Sequence, residues 1–218
     1  MSTPLKALSI VVLLACFFVA FSLSRILLLR AKNPILTAYM MEEEDPIRKK
    51  WVPLSRIAPP LQRAVLFTED GNFYNHHGID FHEAKEAIEK NMEKGGYARG
   101  FSTITMQLAR NLYLSREKTL FRKTVEIIIT WEMEWLLPKR RILELYLNVI
   151  EWGPQVYGAE AASQYYFQTS AGALTNEQAA FLAAIIPNPK KWGQWPPGPY
   201  IHQRIEQIRQ KNGAGDGI

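Results

Sequence analysis

The feature that most narrows the folds open to this chain is an apolar run near its amino terminus. From Ala7 to Leu23 the run is broken only by Ser9 and Ser22, and after Ser24-Arg25 it is extended by Ile26-Leu27-Leu28-Leu29. With Arg25 able to snorkel, this is long enough to cross a bilayer as one helix. Two rival readings are a small-x-small cleavage site at Ala20-Phe21-Ser22 and a lipoprotein box at Leu13-Leu14-Ala15-Cys16. Apolar residues continue past both, which favours an uncleaved anchor. Lys6 on one side and Arg25, Arg30 and Lys32 on the other leave the orientation undecided by positive charge alone.

The 218 residues are enough for this anchor and one catalytic-sized domain. We expect an amino-terminal tip and anchor over 1–32, a tether over 33–53 and the domain over 54–218. The tether carries Glu42-Glu43-Glu44-Asp45 and Arg48-Lys49-Lys50, whose charges read most simply as solvated surface. Lys and Arg number 26 against 21 Asp and Glu, a net charge of +5. The excess is concentrated between Arg99 and Lys123, where Arg99, Arg110, Arg116, Lys118, Arg122 and Lys123 face the single acid Glu117. Such a stripe suits an anionic ligand or membrane lipids. No nucleic-acid-binding motif accompanies it, so nucleic acid is not an expected partner. One cysteine, Cys16, excludes an intrachain disulfide.

Helical signals follow one another along the domain. Pro59-Pro60 opens a helix that buries Leu61, Ala64, Val65 and Phe67, with Glu69 at or just beyond its end. Asp80 and Glu83 have capping-box spacing before a stripe of Phe81, Ala84, Ile88 and Met92. Gly95-Gly96 and Gly100 read as a mobile connection, and Ser102 as the cap of a helix through Ile104, Leu108 and Leu112. A long helix from Thr119 to Leu137 precedes Pro138, which opens another to about Ile150. Further helices are expected over 158–167, after the Thr175/Gln178 capping box, and along Ile201, Ile205 and Ile208. No alternating strand pattern is visible, so the fold class is all-α.

Candidate chemistry gathers around Phe67 to Asp80. Glu69 follows Ala64-Val65-Leu66-Phe67, an apolar setting that would raise its pKa towards the range of a catalytic base. The plainer alternative is a solvated helix end. Glu126 lies three residues after Lys123 and four after Arg122, so the three can share one helical face. Alone, that spacing is explained by surface ion pairs worth ~0.3–0.5 kcal/mol. Ser102 and Thr103 can simply cap. His76 and His77, with only His82 and His202 besides, form no recognised zinc pattern, and no metal site is expected.

The ordered motifs sharpen this reading. Glu69-Asp70 with Phe73, His76, Gly78 and Asp80 resembles the first signature of the peptidoglycan glycosyltransferases, glycosyltransferase family 51. Gly100 to Gln107 resembles the second, Arg122-Lys123-Thr124-Val125-Glu126 the third, Lys139 to Asn148 the fourth and Gly153 to Phe167 the fifth. The likeness spans about residues 47 to 210, and because the chain stops soon after it, the monofunctional branch, lacking a penicillin-binding domain, is expected.

The resemblance implies a lysozyme-like glycosyltransferase domain with a flexible, partly membrane-embedded jaw, behind a single transmembrane helix in the bacterial inner membrane. By the same resemblance the tip would be cytoplasmic and the domain periplasmic. The implied activity is polymerisation of lipid II into β-1,4 glycan strands with release of undecaprenyl pyrophosphate and inversion at the donor carbon. Glu69 matches the base and Glu126 the second glutamate, 57 residues downstream. Ser102, Gln107, Arg110, Lys118, Arg122 and Lys123 match or neighbour substrate-binding positions. No cofactor is required, although a divalent cation near the glutamates is compatible. Partners would be lipid II, the growing strand, membrane lipids and other cell-wall synthesis proteins. Met106 departs from the usual glutamine of the second motif, Arg110 stands where lysine is common, and Gln168-Thr169 replace a frequent Gly-Lys. A peptidoglycan hydrolase would also need one buried glutamic acid, and a silent scaffold would need none. The basic stripe and the anchor favour a lipid-pyrophosphate substrate.

Overall fold

The computed structural model describes residues 3–93 and 101–213, so the glycine-rich connection expected around Gly95-Gly96 and Gly100, and with it Arg99, lies outside the described residues. Helix α1 (Thr3–Leu28) contains a span, Leu8–Leu28, of mean hydropathy 2.5 that is long and apolar enough to cross a membrane. The end of α1 is not free of the domain. Ser22 donates to Glu132 at 3.0 Å, and the Arg25 guanidinium lies 4.8 Å from the Tyr113 ring centre. Arg141 donates to the carbonyls of Leu29 and Lys32, just beyond the end of the helix.

The segment expected to be a tether is packed. Thr37 caps the short α2 (Ala38–Met41), and Met40 is buried. The acidic run is not simply solvated surface: the Glu43 side chain is 6% exposed and pairs with Arg116 at 2.9 Å and Lys190 at 3.1 Å. Sequence proximity could not show this, because both cations arrive from distant parts of the chain. Arg48–Lys49 form β1, which pairs in parallel with β3 (Val156–Tyr157), itself antiparallel to β2 (Glu151–Gly153). Among the described residues this small sheet is the one departure from an all-helical plan, and strands of two or three residues are too short to print an alternating pattern.

Two helices form the spine of the domain: α7 (Lys139–Val149) buries Ile142, Leu143, Leu145, Tyr146 and Leu147, and α9 (Asn176–Ile185) is buried from Ala179 onwards. The predicted capping box on α9 is present in both halves. Asn148 of α7 both accepts from the amide of Val52 and donates to its carbonyl, at 2.9 Å each, like a strand partner. Gly158, with φ +86, passes so close that a Cβ would sit 2.7 Å from the Asn148 carbonyl oxygen.

Around this spine run α3 (Pro59–Glu69), α4 (Phe81–Glu93), α5 (Ile104–Tyr113), α6 (Leu120–Leu136), α8 (Ala159–Phe167), α10 (Pro189–Trp192) and α11 (Pro199–Gly213). The periodicities gave the helices correctly, but not always what covers them. Phe67 is exposed rather than buried, as are Phe81, Ile88 and Met92 of α4 and Leu120, Phe121, Trp131 and Trp135 of α6. Gln168 ends α8 in the left-handed region at φ 54, the conformation that glycine adopts without a Cβ penalty.

Candidate active site

Glu69 is the last residue of α3, and Asp70 caps that helix by sending its own amide to the Leu66 carbonyl. The Asp70 carboxylate is buried and fully used: Oδ2 accepts from the amide of Ile104 at 3.0 Å and Oδ1 meets His76 Nε2 at 2.8 Å. His76 Nδ1 accepts from the Gly78 amide at 3.1 Å, which leaves Nε2 as the protonated nitrogen that donates to Asp70. The adjacent-histidine pair is thus split, and among the described residues no cluster of metal-ligating side chains occurs. Gly78 has φ +94, and a Cβ there would lie 2.8 Å from Thr130 Cγ2, so conformation and space both require glycine.

Thr103 caps α5: its hydroxyl accepts from the Met106 amide at 3.2 Å and donates to the Gly78 carbonyl at 2.6 Å. The expected cap, Ser102, is therefore one residue out of place, and its side chain is released for another use. Met106 is buried, at 1% exposure, so the departure at that position places an apolar side chain out of solvent.

Glu69 is partly exposed, and burial pushes its carboxyl above the usual range, opposed by a hydrogen bond from Gln107, the Arg204 charge and the Thr68 hydroxyl. Gln107 Nε2 donates to Glu69 Oε2 at 3.0 Å and to the Ser102 carbonyl at 3.3 Å, while its Oε1 accepts from the Tyr146 hydroxyl at 2.9 Å. The second carboxylate is different. Glu126 is fully buried and clamped between Arg122 at 2.5 Å and Lys123 at 2.6 Å, so the surface ion pair that the spacing alone would give is an interior cluster. Lys123 also reaches Ser102 Oγ at 3.4 Å, a long contact. Ser102 thereby joins the two centres, its carbonyl serving Gln107 beside Glu69 and its hydroxyl facing Lys123 beside Glu126.

The remaining cations behave unequally. Arg110 stands near Tyr146 and Tyr39, whose phenols are raised by burial and drawn down by its charge. Lys118 is exposed in the connection before α6, and the structure gives it no contact with either glutamate. Arg116, part of the basic stripe, is consumed by Glu42, Glu43 and Glu151. Sequence reasoning missed Tyr39, Tyr146 and Arg204. All three reach the site from separate elements, α2, α7 and α11; Tyr146 stands inside the fourth motif, Lys139 to Asn148, without being singled out there, and Tyr39 and Arg204 leave no local signal beyond a polar residue within a helix.

A partly desolvated carboxylate held by one amide, linked to a carboxylate that fixes two cations, can take a proton on one side and steady an anion on the other. Comparison with known proteins places it among glycosyl-transferring enzymes built on a lysozyme-like helical domain. The chain belongs to the transglycosylase family, whose model matches residues 32–212. The match begins before Pro34 and so takes in the whole segment expected to be a tether. A biosynthetic peptidoglycan transglycosylase from Paraburkholderia xenovorans is 44% identical over 206 residues, covering 90% of this chain and 86% of the relative. Proteins of the same name from Chromobacterium violaceum and Alcanivorax borkumensis are each 44% identical, covering 87% and 94% of this chain and 87% and 84% of the relatives.

Proposed function

We propose that this chain is a peptidoglycan glycosyltransferase that polymerises lipid II at the outer face of the bacterial inner membrane. Glu69 acts as general base on the 4-hydroxyl of the acceptor sugar while that oxygen attacks the donor's anomeric carbon. The oxygen enters opposite the leaving undecaprenyl pyrophosphate, so an α-linked donor gives a β-1,4 product. Arg122 and Lys123, held by Glu126, and the less constrained Arg110 and Lys118 supply the positive field in which pyrophosphate charge develops. Ser102 and Gln107 set the distance between the base and that field. No metal enters these steps; a divalent cation beside the glutamates would add to the same field.

The observation that carries this reading is the path Glu69–Gln107–Ser102–Lys123–Glu126, which joins a carboxyl of raised pKa to a buried carboxylate that holds two cations. A hydrolase acting on finished glycan has no pyrophosphate to hold. The apolar α1 and the exposed aromatic and aliphatic side chains of α4 and α6 support a site that works against lipid.

The test is to incubate the protein, and its Glu69→Gln variant, with purified lipid II and separately with intact sacculi. Chain growth by the wild type, lost by roughly 10²-fold or more in the variant with folding retained, is the expected result. Sugar release from sacculi without chain growth would make it a hydrolase, and undiminished polymerisation by the variant would remove Glu69 from the role of base.

A further inference from the structure

We propose that Tyr146, which is fully buried and cannot touch a substrate, is a positioning residue for Glu69, acting by locking the orientation of the Gln107 amide. The inference deepens the reading of Glu69 as the base and rests on it.

A glutamine side chain can present either its carbonyl or its NH₂ to a neighbour, and the two choices have opposite consequences for a carboxylate. An NH₂ group stabilises the charge; a carbonyl oxygen repels it. In this structure all the bonding capacity that matters is assigned. One N–H goes to Glu69 Oε2 at 3.0 Å, the nitrogen also meets the Ser102 carbonyl at 3.3 Å, and Oε1 takes the Tyr146 hydroxyl at 2.9 Å. Turning the amide over would set its oxygen against both the Glu69 carboxylate and the Ser102 carbonyl. Tyr146 rewards the useful orientation by donating to the oxygen. It is dependable as a donor because burial, with Glu69 and Asp70 nearby, pushes its phenol well above the ordinary value, against the pull of Arg110.

The rest of the backing is rigid. Tyr146 sits in the middle of α7 with no solvent exposure, between the equally buried Leu145 and Leu147. Gln107 belongs to α5, where its backbone carbonyl is further held by Asn111 at 2.8 Å. The groups bearing on Glu69 from other directions are Arg204 of α11, which draws its pKa down, and on its own side Thr68, which also lowers it, and Asp70, which raises it. Helix α9, packed on α3, carries one acid, Glu177, exposed at its amino end. Tyr146 and Gln107 are therefore the neutral pair set against these charges, and removing the hydroxyl changes no formal charge in the site.

The experiment is a carbon-13 titration of Glu69 in the full detergent-solubilised chain, with glutamate side chains labelled and the resonance assigned by its loss in Glu69→Gln. Tyr146→Phe keeps the ring and deletes the donor. Its Glu69 midpoint is expected to rise by about half a unit to one unit, the size of one lost hydrogen bond. The acid limb of kcat/KM for lipid II should move up with it. A midpoint that stays where the wild type has it overturns the proposal, even if activity falls, because a merely structural role for Tyr146 would lower turnover without moving that titration. Should Tyr146→Phe fail to fold, 3-fluorotyrosine at position 146, a stronger donor of nearly the same shape, is expected to lower the midpoint, and no movement overturns the proposal equally. The titration is read without turnover, so a Glu69 that proves not to be the base is recognised by an active Glu69→Gln and leaves the Tyr146 result standing or falling by itself.

Discussion

Asp70 accepts the amide of Ile104 at 3.0 Å, so the residue that closes α3 also holds the first turn of α5. Glu69 ends the first of these helices and Gln107 sits one turn into the second. The distance between the Glu69 carboxylate and the Gln107 amide is thus set by the neighbouring carboxylate of Asp70.

Asp70→Asn tests this arrangement. The amide can accept at only one position, yet Asp70 accepts from both Ile104 and His76, so one buried donor must face an NH₂ group. The expected cost is about 1.5–3 kcal/mol, the usual value for a lost hydrogen bond to a charged group. Thermal melting should fall by roughly 3–12 °C for a chain of this size. Polymerisation should fall further than the loss of folded protein accounts for, since Gln107 shifts relative to Glu69. Unchanged melting and activity would mean that the α3–α5 junction is held elsewhere.

Glu69 itself should show the usual penalty of a working carboxylate. Its folded-state pKa is raised above the ordinary 4.5, so the folded protein holds the proton more tightly than the unfolded chain. Ionisation therefore costs stability, a cost absent below the unfolded value and complete once the pH has passed the folded one. Glu69→Gln, which cannot ionise, is expected to melt above the wild type at neutral pH, with the gap closing as the pH falls towards 4.5. Melting curves at several pH values check this, and a gap that does not change with pH would contradict a desolvated Glu69.

Glu126→Gln should act in the opposite direction. Glu126 is fully buried, while its partners Arg122 and Lys123 keep 14% and 28% of their side-chain exposure and can recover some hydration. The loss should lie below that of a wholly interior pair, about 2–3 kcal/mol. Polymerisation should drop by more than about tenfold, because Lys123 is no longer held beside Ser102. Wild-type turnover would return Glu126 to a purely structural role.

The helices were legible because their ends are written locally, in Pro59-Pro60, Thr119, Pro138 and the Thr175/Gln178 box. Where two hydroxyls stand side by side, as in Ser102-Thr103, either could cap, and only the position of the Gly78 carbonyl selects Thr103. Glu69 and Glu126 were visible through their motifs, as were Arg122, Lys123 and Gln107. The path that joins them was not, since it depends on a backbone carbonyl and a hydroxyl of one residue facing two different helices. The roles of Tyr146, although it lies within the fourth motif, and of Arg204 were hidden for the same reason: their contact with the site is made by α7 and α11 packing against α5 and α3. Apolar stripes on α4 and α6 gave a face without revealing that protein leaves it uncovered. The acidic run at 42–45 looked solvated because Arg116 and Lys190 are remote in sequence.

The docking of α1 allows a last prediction. Glu132 of α6 is 8% exposed; its Oε1 accepts from Ser22, while Oε2 is shielded from solvent and has no hydrogen-bond partner among the described residues. Burial raises its pKa, and the Ser22 hydroxyl opposes that. The penalty for holding it ionised is again absent at low pH and present above the folded value. Glu132→Gln keeps an acceptor for Ser22 and removes the charge, so it should melt at or above the wild type, with the advantage growing as pH rises. Ser22→Ala leaves the carboxyl with no donor and should loosen α1 from α6 by about 1–2 kcal/mol. Trypsin cleavage after Arg30 or Lys32, in detergent, should then be faster than in the wild type. Equal cleavage rates would assign the docking to Arg25 on Tyr113 and Arg141 on the helix end instead.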